Sequence, residues 1–349
     1  MIIGENVPLA PLTTLGVGGP ARYFTEAQSE ADAIEAVEFA RSHGLSLFVL
    51  GGGSNLVVAD AGFGGLVLKI AIGGVTCVEA TDGTTTFAAG AGCDWDTLVA
   101  QTVAENCAGV ECLSGIPGTA GATPVQNVGA YGQEVSSTIR EVHVLDLQSM
   151  EISALSNEQC GFAYRSSVFN TSQRGRYIIL RVSFQLRAGG APTVRYTDLE
   201  RFFAGRSNDA TLRGVREAVR QIRHRKAMLI MEGDPDAHSV GSFFKNPIVP
   251  QSVVAEWARK AASRGMQLPS YPANDGFRKV PAAWLVEHAG FNKGYVKGGA
   301  GISRKHALAI INRGAATAEE IIALKAEIQS QVQDAFGMTL EPEPVFVGF

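Results

Sequence analysis

Three stretches of this sequence combine residue types that could do chemistry. Gly51-Gly52-Gly53-Ser54-Asn55 ends an apolar run. Ser114 to Gly132 (SGIPGTAGATPVQNVGAYG) holds five glycines, two prolines and the polar pair Gln126-Asn127 ahead of Gly129-Ala130-Tyr131-Gly132. Glycine lets backbone approach a flat or phosphorylated ligand closely, and a loop this long without regular structure is uncommon unless it binds something. Two such loops suggest a dinucleotide gripped mainly by main-chain amides, although Gly51 to Asn55 alone would equally suit a plain strand-ending turn. The third stretch, Gly241-Ser242-Phe243-Phe244-Lys245-Asn246-Pro247, sets a small hydroxyl between a glycine and two rings and follows it with a cation and an amide. That pattern suits the polar tip of an apolar pocket, and it also suits a turn with an aromatic anchor.

Other candidates are individually weaker. Arg213, Arg216, Arg220, Arg223, His224, Arg225 and Lys226 crowd one helical stretch. Such runs are usually solvated faces, and a helix cannot aim all of them one way, so one or two at most are expected to meet phosphate. Tyr164-Arg165 and the Glu341/Glu343 pair are unremarkable alone.

The elements that must position these residues follow from local signals. Ser29 with Asp32 three residues later forms a capping-box pattern that opens a helix, and Gly44 stops it. LSLFVL (45–50) predicts a buried strand running into Gly51. No helical period follows, the spacing is not G-x-G-x-x-G, and no G-K-[ST] occurs. A phosphate here would be held by turn amides rather than a helix end. Residues 72–210 read as short strands around one helix with Trp95, Leu98, Val99, Thr102 and Val103 on a face. Helices are expected over 212–229, around Val253, Val254 and Trp257, over Pro281–Glu287, and from Thr317, boxed by Glu320, to Gly337. The tail MTLEPEPVFVGF reads as an edge strand, since two prolines cannot both sit in a central ladder.

A length of 349 residues suggests two or three domains. The formal net charge of -4 argues against a general nucleic-acid binder. The five cysteines (Cys77, Cys93, Cys107, Cys112, Cys160) are odd in number and form no C-x-x-C pair, which argues against a disulfide framework or zinc site. Neither a signal peptide nor a bilayer-spanning run is expected, so the reading is an intracellular globular protein.

Together these segments resemble the UDP-N-acetylenolpyruvoylglucosamine reductase family, the flavoenzymes of peptidoglycan precursor synthesis. The resemblance runs along nearly the whole chain. It takes in Thr14-Leu15-Gly16, Gly51 to Asn55, Ile116-Pro117-Gly118, Pro124 to Gly132, Phe162 to Ser167, Gly241 to Pro247 and Leu340-Glu341-Pro342-Glu343. Thr193 to Leu199 looks like the tyrosine-bearing loop of the longer subgroup.

The resemblance implies an α+β architecture: a two-subdomain FAD-binding fold of the vanillyl-alcohol-oxidase type plus a C-terminal substrate-binding domain. The expected boundaries are 1–71 with the returning tail 338–349, then 72–229, then 230–337. It implies NADPH as hydride donor, FAD as cofactor, and UDP-N-acetylglucosamine enolpyruvate as substrate, in a cytoplasmic monomer without nucleic-acid, membrane or obligate protein partners. FAD would be held by Gly51, Gly52, Gly53, Ser54, Asn55, Ile116, Pro117, Gly118, Thr123, Gln126, Asn127, Gly129, Ala130, Tyr131 and Gly132. Arg165, Ser242 and Glu343 are the implied catalytic residues. Arg165 and a protonated Glu343 would flank the substrate carboxylate, and Ser242 would donate a proton with help from Lys226. Tyr196, Lys226, Asn246 and His288 are the implied substrate-binding residues.

Two positions depart from the family pattern. His288 stands where some relatives carry glutamine, and Pro344-Val345 replaces a hydrophobic–arginine pair, which puts the local strand pairing in question. An oxidase or dehydrogenase of the same fold, and a non-catalytic nucleotide-sugar binding module, are the competing readings.

Overall fold

Ser29 accepts a hydrogen bond from the Asp32 amide while the Asp32 carboxylate accepts from the Ser29 amide, so the helix Glu30–Ser42 begins where the capping box predicts. Thr317 and Glu320 repeat the device at the helix Ala318–Phe336, which ends on left-handed Gly337. These elements belong to a computed structural model that describes residues 1–79, 82–205, 210–263, 265–273 and 275–349. The chain divides into two units: residues 1–12, 20–53 and 62–230 form the first, and 13–19, 54–61 and 231–349 the second.

Among the described residues, the first unit holds a small two-stranded sheet at 129–134 and two larger ones. In one, Gly4–Pro8 pairs antiparallel with Pro20–Ala27, which runs parallel to Phe63–Ile70, itself parallel to Leu47–Leu50. The other is antiparallel and centred on the long strand Tyr177–Ala188, flanked by Ile139–Asp146 and Thr84–Gly90. The helix Trp95–Ala104, capped by Asp94, buries Trp95, Leu98, Val99 and Thr102 as its spacing predicts.

One apolar cluster takes in Leu66 and Leu68 from the first sheet and Phe87, Val182 and Phe184 from the second. Residues 1–71 and 72–229, expected as separate subdomains, therefore share a core. The tail 338–349 groups with 54–61 and 231–337, because its strand Val345–Val347 pairs in parallel with Leu56–Val58. Pairing starts directly after Pro344, whose missing N–H is not asked of the ladder.

The basic helix expected over 212–229 spans Leu212–Arg225. It stops early because Ala227 is left-handed (φ 52°), which lets the Met228 amide return to the Arg223 carbonyl at 2.9 Å and the Ala227 amide to His224 at 3.1 Å. This is a Schellman ending with alanine in the usual glycine place.

Among the described residues, the second unit is built from small antiparallel sheets, the parallel pair described above and three helices, Gln251–Ala262, Ala282–His288 and Ala318–Phe336. Its core joins Leu15, Val17 and Val57 to Phe243, Phe244, Trp257, Leu285 and Leu324. Asp60 adds a second cap to the last helix, accepting from the Ala318 and Glu319 amides at 2.8 and 3.0 Å.

Candidate active site

In the first unit, the strand Leu47–Leu50 delivers Gly51 to Gly53 against the loop that begins at Ile116. A Cβ on Gly52 would lie 2.5 Å from the Gly118 Cα, so no side chain fits between the two turns. Gly52 thus meets Gly118, and Gly51 lies beside Thr119 and Ala122. The Thr123 hydroxyl closes the short turn Ala120–Ala122 by donating to the Ala120 carbonyl at 2.8 Å. Thr119, not singled out from the sequence, points its hydroxyl toward Gly51: a Cβ there would sit 3.2 Å from Thr119 Oγ1. That oxygen is buried without a hydrogen-bond partner among the described residues, a polar group a ligand would satisfy.

Farther along the loop the backbone is strained. Asn127, Tyr131 and Arg165 have φ of 46°, 49° and 54°, a region that side chains other than glycine seldom occupy. Asn127 is 1% exposed. Its Nδ2 donates to the Ala163 carbonyl at 3.0 Å and to Glu134 at 3.2 Å, and its Oδ1 accepts from the Ser136 amide at 3.1 Å. Its side chain is therefore committed to shaping the loop.

Gly129–Ala130 pairs with Gln133–Glu134, leaving Tyr131 and Gly132 (φ 49° and 87°) as a two-residue hairpin turn. Arg165 sits in a second tight turn, closed by the Ala163 and Ser166 backbones at 2.9 and 3.1 Å. Its guanidinium donates to the Gly129 carbonyl at 2.8 Å, which fixes arginine and hairpin to one another.

Tyr131 packs edge-on against Tyr196, with ring centroids 5.5 Å apart, and the Lys226 ammonium lies 5.9 Å from its ring centre. Burial pushes the Tyr131 phenol up, so the ring stays neutral at physiological pH. Lys226 also pairs with Asp198 at 2.7 Å. Burial works against its charge, but Asp198 outweighs that and holds the ammonium above its ordinary value of 10.5. Lys226 is thus a cation.

The basic helix is not merely a solvated face. Arg216 and Arg220 both bind Asp96, which also accepts from the Gly115 amide at 2.6 Å. Burial would raise the Asp96 carboxyl, but these donors outweigh it and hold the group below its usual 3.8. Arg223, 6% exposed, donates Nε to the Gly115 carbonyl at 3.0 Å. The start of the glycine loop is therefore gripped at both polar groups of Gly115.

In the second unit, Gly241 to Pro247 runs between two other segments. The Phe243 amide donates to Leu308 at 2.8 Å and its carbonyl accepts from Glu343 at 2.9 Å; the Lys245 amide donates to Glu341 at 2.9 Å. This places Ser242 Oγ 3.3 Å from His306 Nε2, an imidazole the sequence reading passed over.

Ser54 and Asn55, expected beside the glycines, belong to this unit. The Asn55 side chain donates to the Glu343 carbonyl at 3.1 Å, and Thr14 Oγ1 donates to the Ser54 carbonyl at 3.4 Å. Asn246 Oδ1 accepts from the Ala282 amide at 2.9 Å and so fixes the start of a helix. His288, in that helix, stacks on Trp284 at 3.9 Å and bonds its carbonyl at 2.7 Å. Among the described residues it makes no hydrogen bond to Ser242, Asn246 or Glu343.

Residues 234–347 match the family described as UDP-N-acetylenolpyruvoylglucosamine reductase, C-terminal domain, and residues 21–152 match an FAD binding domain. The UDP-N-acetylenolpyruvoylglucosamine reductase of Thermobifida fusca is 45% identical over 99% of this chain and 98% of its own length. This chain belongs to the UDP-N-acetylenolpyruvoylglucosamine reductase family. The Streptomyces coelicolor reductase is 47% identical over 99% of this chain and 90% of its own. The crystal structure of the Thermus caldophilus reductase has the same fold, with a TM-score of 0.66 over 99% of this chain and 100% of that one, at 24% identity.

The first unit fits the FAD that this family implies. Its two glycine turns meet without side chains between them, and the orphaned Thr119 hydroxyl supplies a donor beside them. Gly51, Gly52, Gly118 and Thr119 come together there, Thr123 closes the turn beside them, and Asn127 acts on the shape of the loop.

Proposed function

We propose that this chain reduces UDP-N-acetylglucosamine enolpyruvate to UDP-N-acetylmuramate for peptidoglycan synthesis, with NADPH as hydride donor. The observation that carries this reading is the full-length similarity to reductases so named. FAD supplies the hydride transfer, which no side chain can perform.

The chain's own residues handle charge and one proton. Arg165, always cationic, would stabilise the charge that develops on the substrate carboxylate. Its guanidinium donates to the Gly129 carbonyl at 2.8 Å and to the Asn127 carbonyl at 3.5 Å, and this anchoring favours that role by fixing the group in advance. Glu343 would act on the same carboxylate in its protonated form, since an ionised partner would repel it. The Ser242 hydroxyl would give its proton to the carbon next to that carboxylate, with His306 at 3.3 Å able to orient it.

Tyr196 and Lys226 would meet the UDP portion. Asn246 would join them through Nδ2, its Oδ1 being engaged with Ala282. The stacking of His288 on Trp284 favours a structural part for that residue. The same reading makes the protein a cytoplasmic monomer, which sedimentation would check.

The decisive experiment is anaerobic. Purified protein should be yellow, bleach with NADPH, and regain its colour when the enolpyruvyl sugar is added. Recolouring by oxygen alone would favour an oxidase, and a colourless protein unable to take up FAD would overturn the assignment.

A further inference from the structure

The segment that carries Tyr196 is fastened at its foot by residues outside the site described above. Glu111 is completely buried. Its Oε1 accepts from the Thr193 amide at 2.8 Å and its Oε2 from the Gly109 amide at 2.8 Å. The neighbouring Cys112 thiol donates to the Thr193 carbonyl at 3.3 Å. Gln133 Nε2 donates to the Thr193 hydroxyl at 3.2 Å, while its Oε1 accepts from the Cys112 amide at 2.8 Å. The amide, carbonyl and hydroxyl of Thr193 are thus all held, by two adjacent residues and one glutamine.

The same cluster reaches the other ring of the site. Gln133 directly follows the turn bearing Tyr131, and Tyr131 packs edge-on against Tyr196. At its far end the segment is tied by Asp198 to Lys226. A carboxylate at position 111 is chemically required, because two amide donors converge on it and a carboxylate offers two acceptor oxygens. A glutamine would turn its NH2 toward one of those amides. Burying such a polar group is costly unless its bonds are made, so the arrangement points to a constraint beyond packing.

We infer that Glu111, with Gln133, is a positioning residue for substrate recognition: it holds Thr193 at the foot of the segment that presents Tyr196 to the nucleotide. This rests on the reading that Tyr196 meets the UDP portion of the substrate.

The test is steady-state and anaerobic kinetics on Glu111→Gln, Thr193→Val, Tyr196→Ala and the Glu111→Gln/Tyr196→Ala pair. Glu111→Gln should raise KM for the enolpyruvyl sugar roughly ten-fold or more, with kcat within about two-fold. Its flavin content and rate of bleaching by NADPH should be unchanged. Thr193→Val, which deletes only the hydroxyl bond to Gln133, should raise KM roughly three-fold and stands in if the first variant does not fold. In the Tyr196→Ala background Glu111→Gln should add almost nothing to KM.

A normal KM in Glu111→Gln and Thr193→Val, beside a raised KM in Tyr196→Ala, overturns the inference alone. So does full additivity in the pair. A normal KM in Tyr196→Ala overturns the substrate contact itself, and the inference with it.

Discussion

In the first unit, the side chains proposed to meet ligand stand on strained or sharply turned backbone and are tied down several times. Arg165 and Tyr131 are left-handed, and both are linked to the loop that Asn127 shapes with three bonds of its own. In the second unit, Ser242 and Glu343 extend from backbone paired with neighbouring segments, and the Ser242 hydroxyl has His306 as its close partner among the described residues. Strained backbone must be over-determined by its surroundings to persist. A change in the first unit should therefore spread through several residues, whereas one in the second should remove a single chemical act.

The largest expected effect tests the local half of that contrast. Ser242→Ala should slow flavin reoxidation by the enolpyruvyl sugar by roughly 10²–10⁴-fold, with bleaching by NADPH and thermal stability unchanged in stopped-flow and melting experiments. An equal loss in both half-reactions would remove the distinction. Asn127→Ala should instead be broad. It strands buried partners and keeps a left-handed φ without the side chain that supported it, costing about 2–4 kcal/mol. The melting temperature, flavin content and both half-reactions should fall together.

Gly52→Ala sharpens the contrast within the first unit. Its Cβ meets main-chain atoms of Gly118 rather than a yielding side chain, so FAD affinity should drop by roughly 1–3 kcal/mol, read as flavin absorbance per protein at set FAD concentrations.

Asp96 supplies a pH signature. Its folded pKa lies below the ordinary 3.8, so its stabilising contribution is present above that value and is lost as pH falls through the folded pKa. In urea melts the advantage of wild type over Asp96→Asn should be constant near neutrality and shrink below about pH 4. The smallest effects come from matched caps: Ser29→Ala in the first unit and Thr317→Ala in the second should each cost about 1 kcal/mol with kinetics unchanged.

What could be read from the sequence was mostly what is local in it. Both capping boxes, the strand expected over 45–50 and formed over Leu47–Leu50, the absence of a helix after Gly53 and the last helix up to Gly337 are set by residues a few positions apart. The early stop at Arg225 was missed because alanine fills a place where glycine is the usual sign. The two histidines show the limit most clearly. His288 is singled out by the family resemblance, yet its partner is Trp284, four residues away in the same helix. His306 reaches Ser242 across 64 residues of sequence, which no spacing pattern announces. The same holds for Glu111 and Asp96, whose importance lies in distant backbone amides and arginines rather than in any motif. The chemistry-bearing segments were nonetheless visible, because glycines and a hydroxyl flanked by rings are unusual enough to be noticed singly.

The interleaving of the two units bears on how the chain is made. Leu15, Val17 and Val57 belong to a core whose other members lie beyond residue 239, and the Asn55–Glu343 bond spans 288 positions. During synthesis from the N-terminus, the first unit can close by about residue 230 while segments 13–19 and 54–61 still lack their partners. At ribosomal speeds of ~5–20 residues per second, these oily stretches remain bare for several seconds in each nascent molecule. They are natural places for a chaperone to bind, and for a prematurely terminated chain to aggregate.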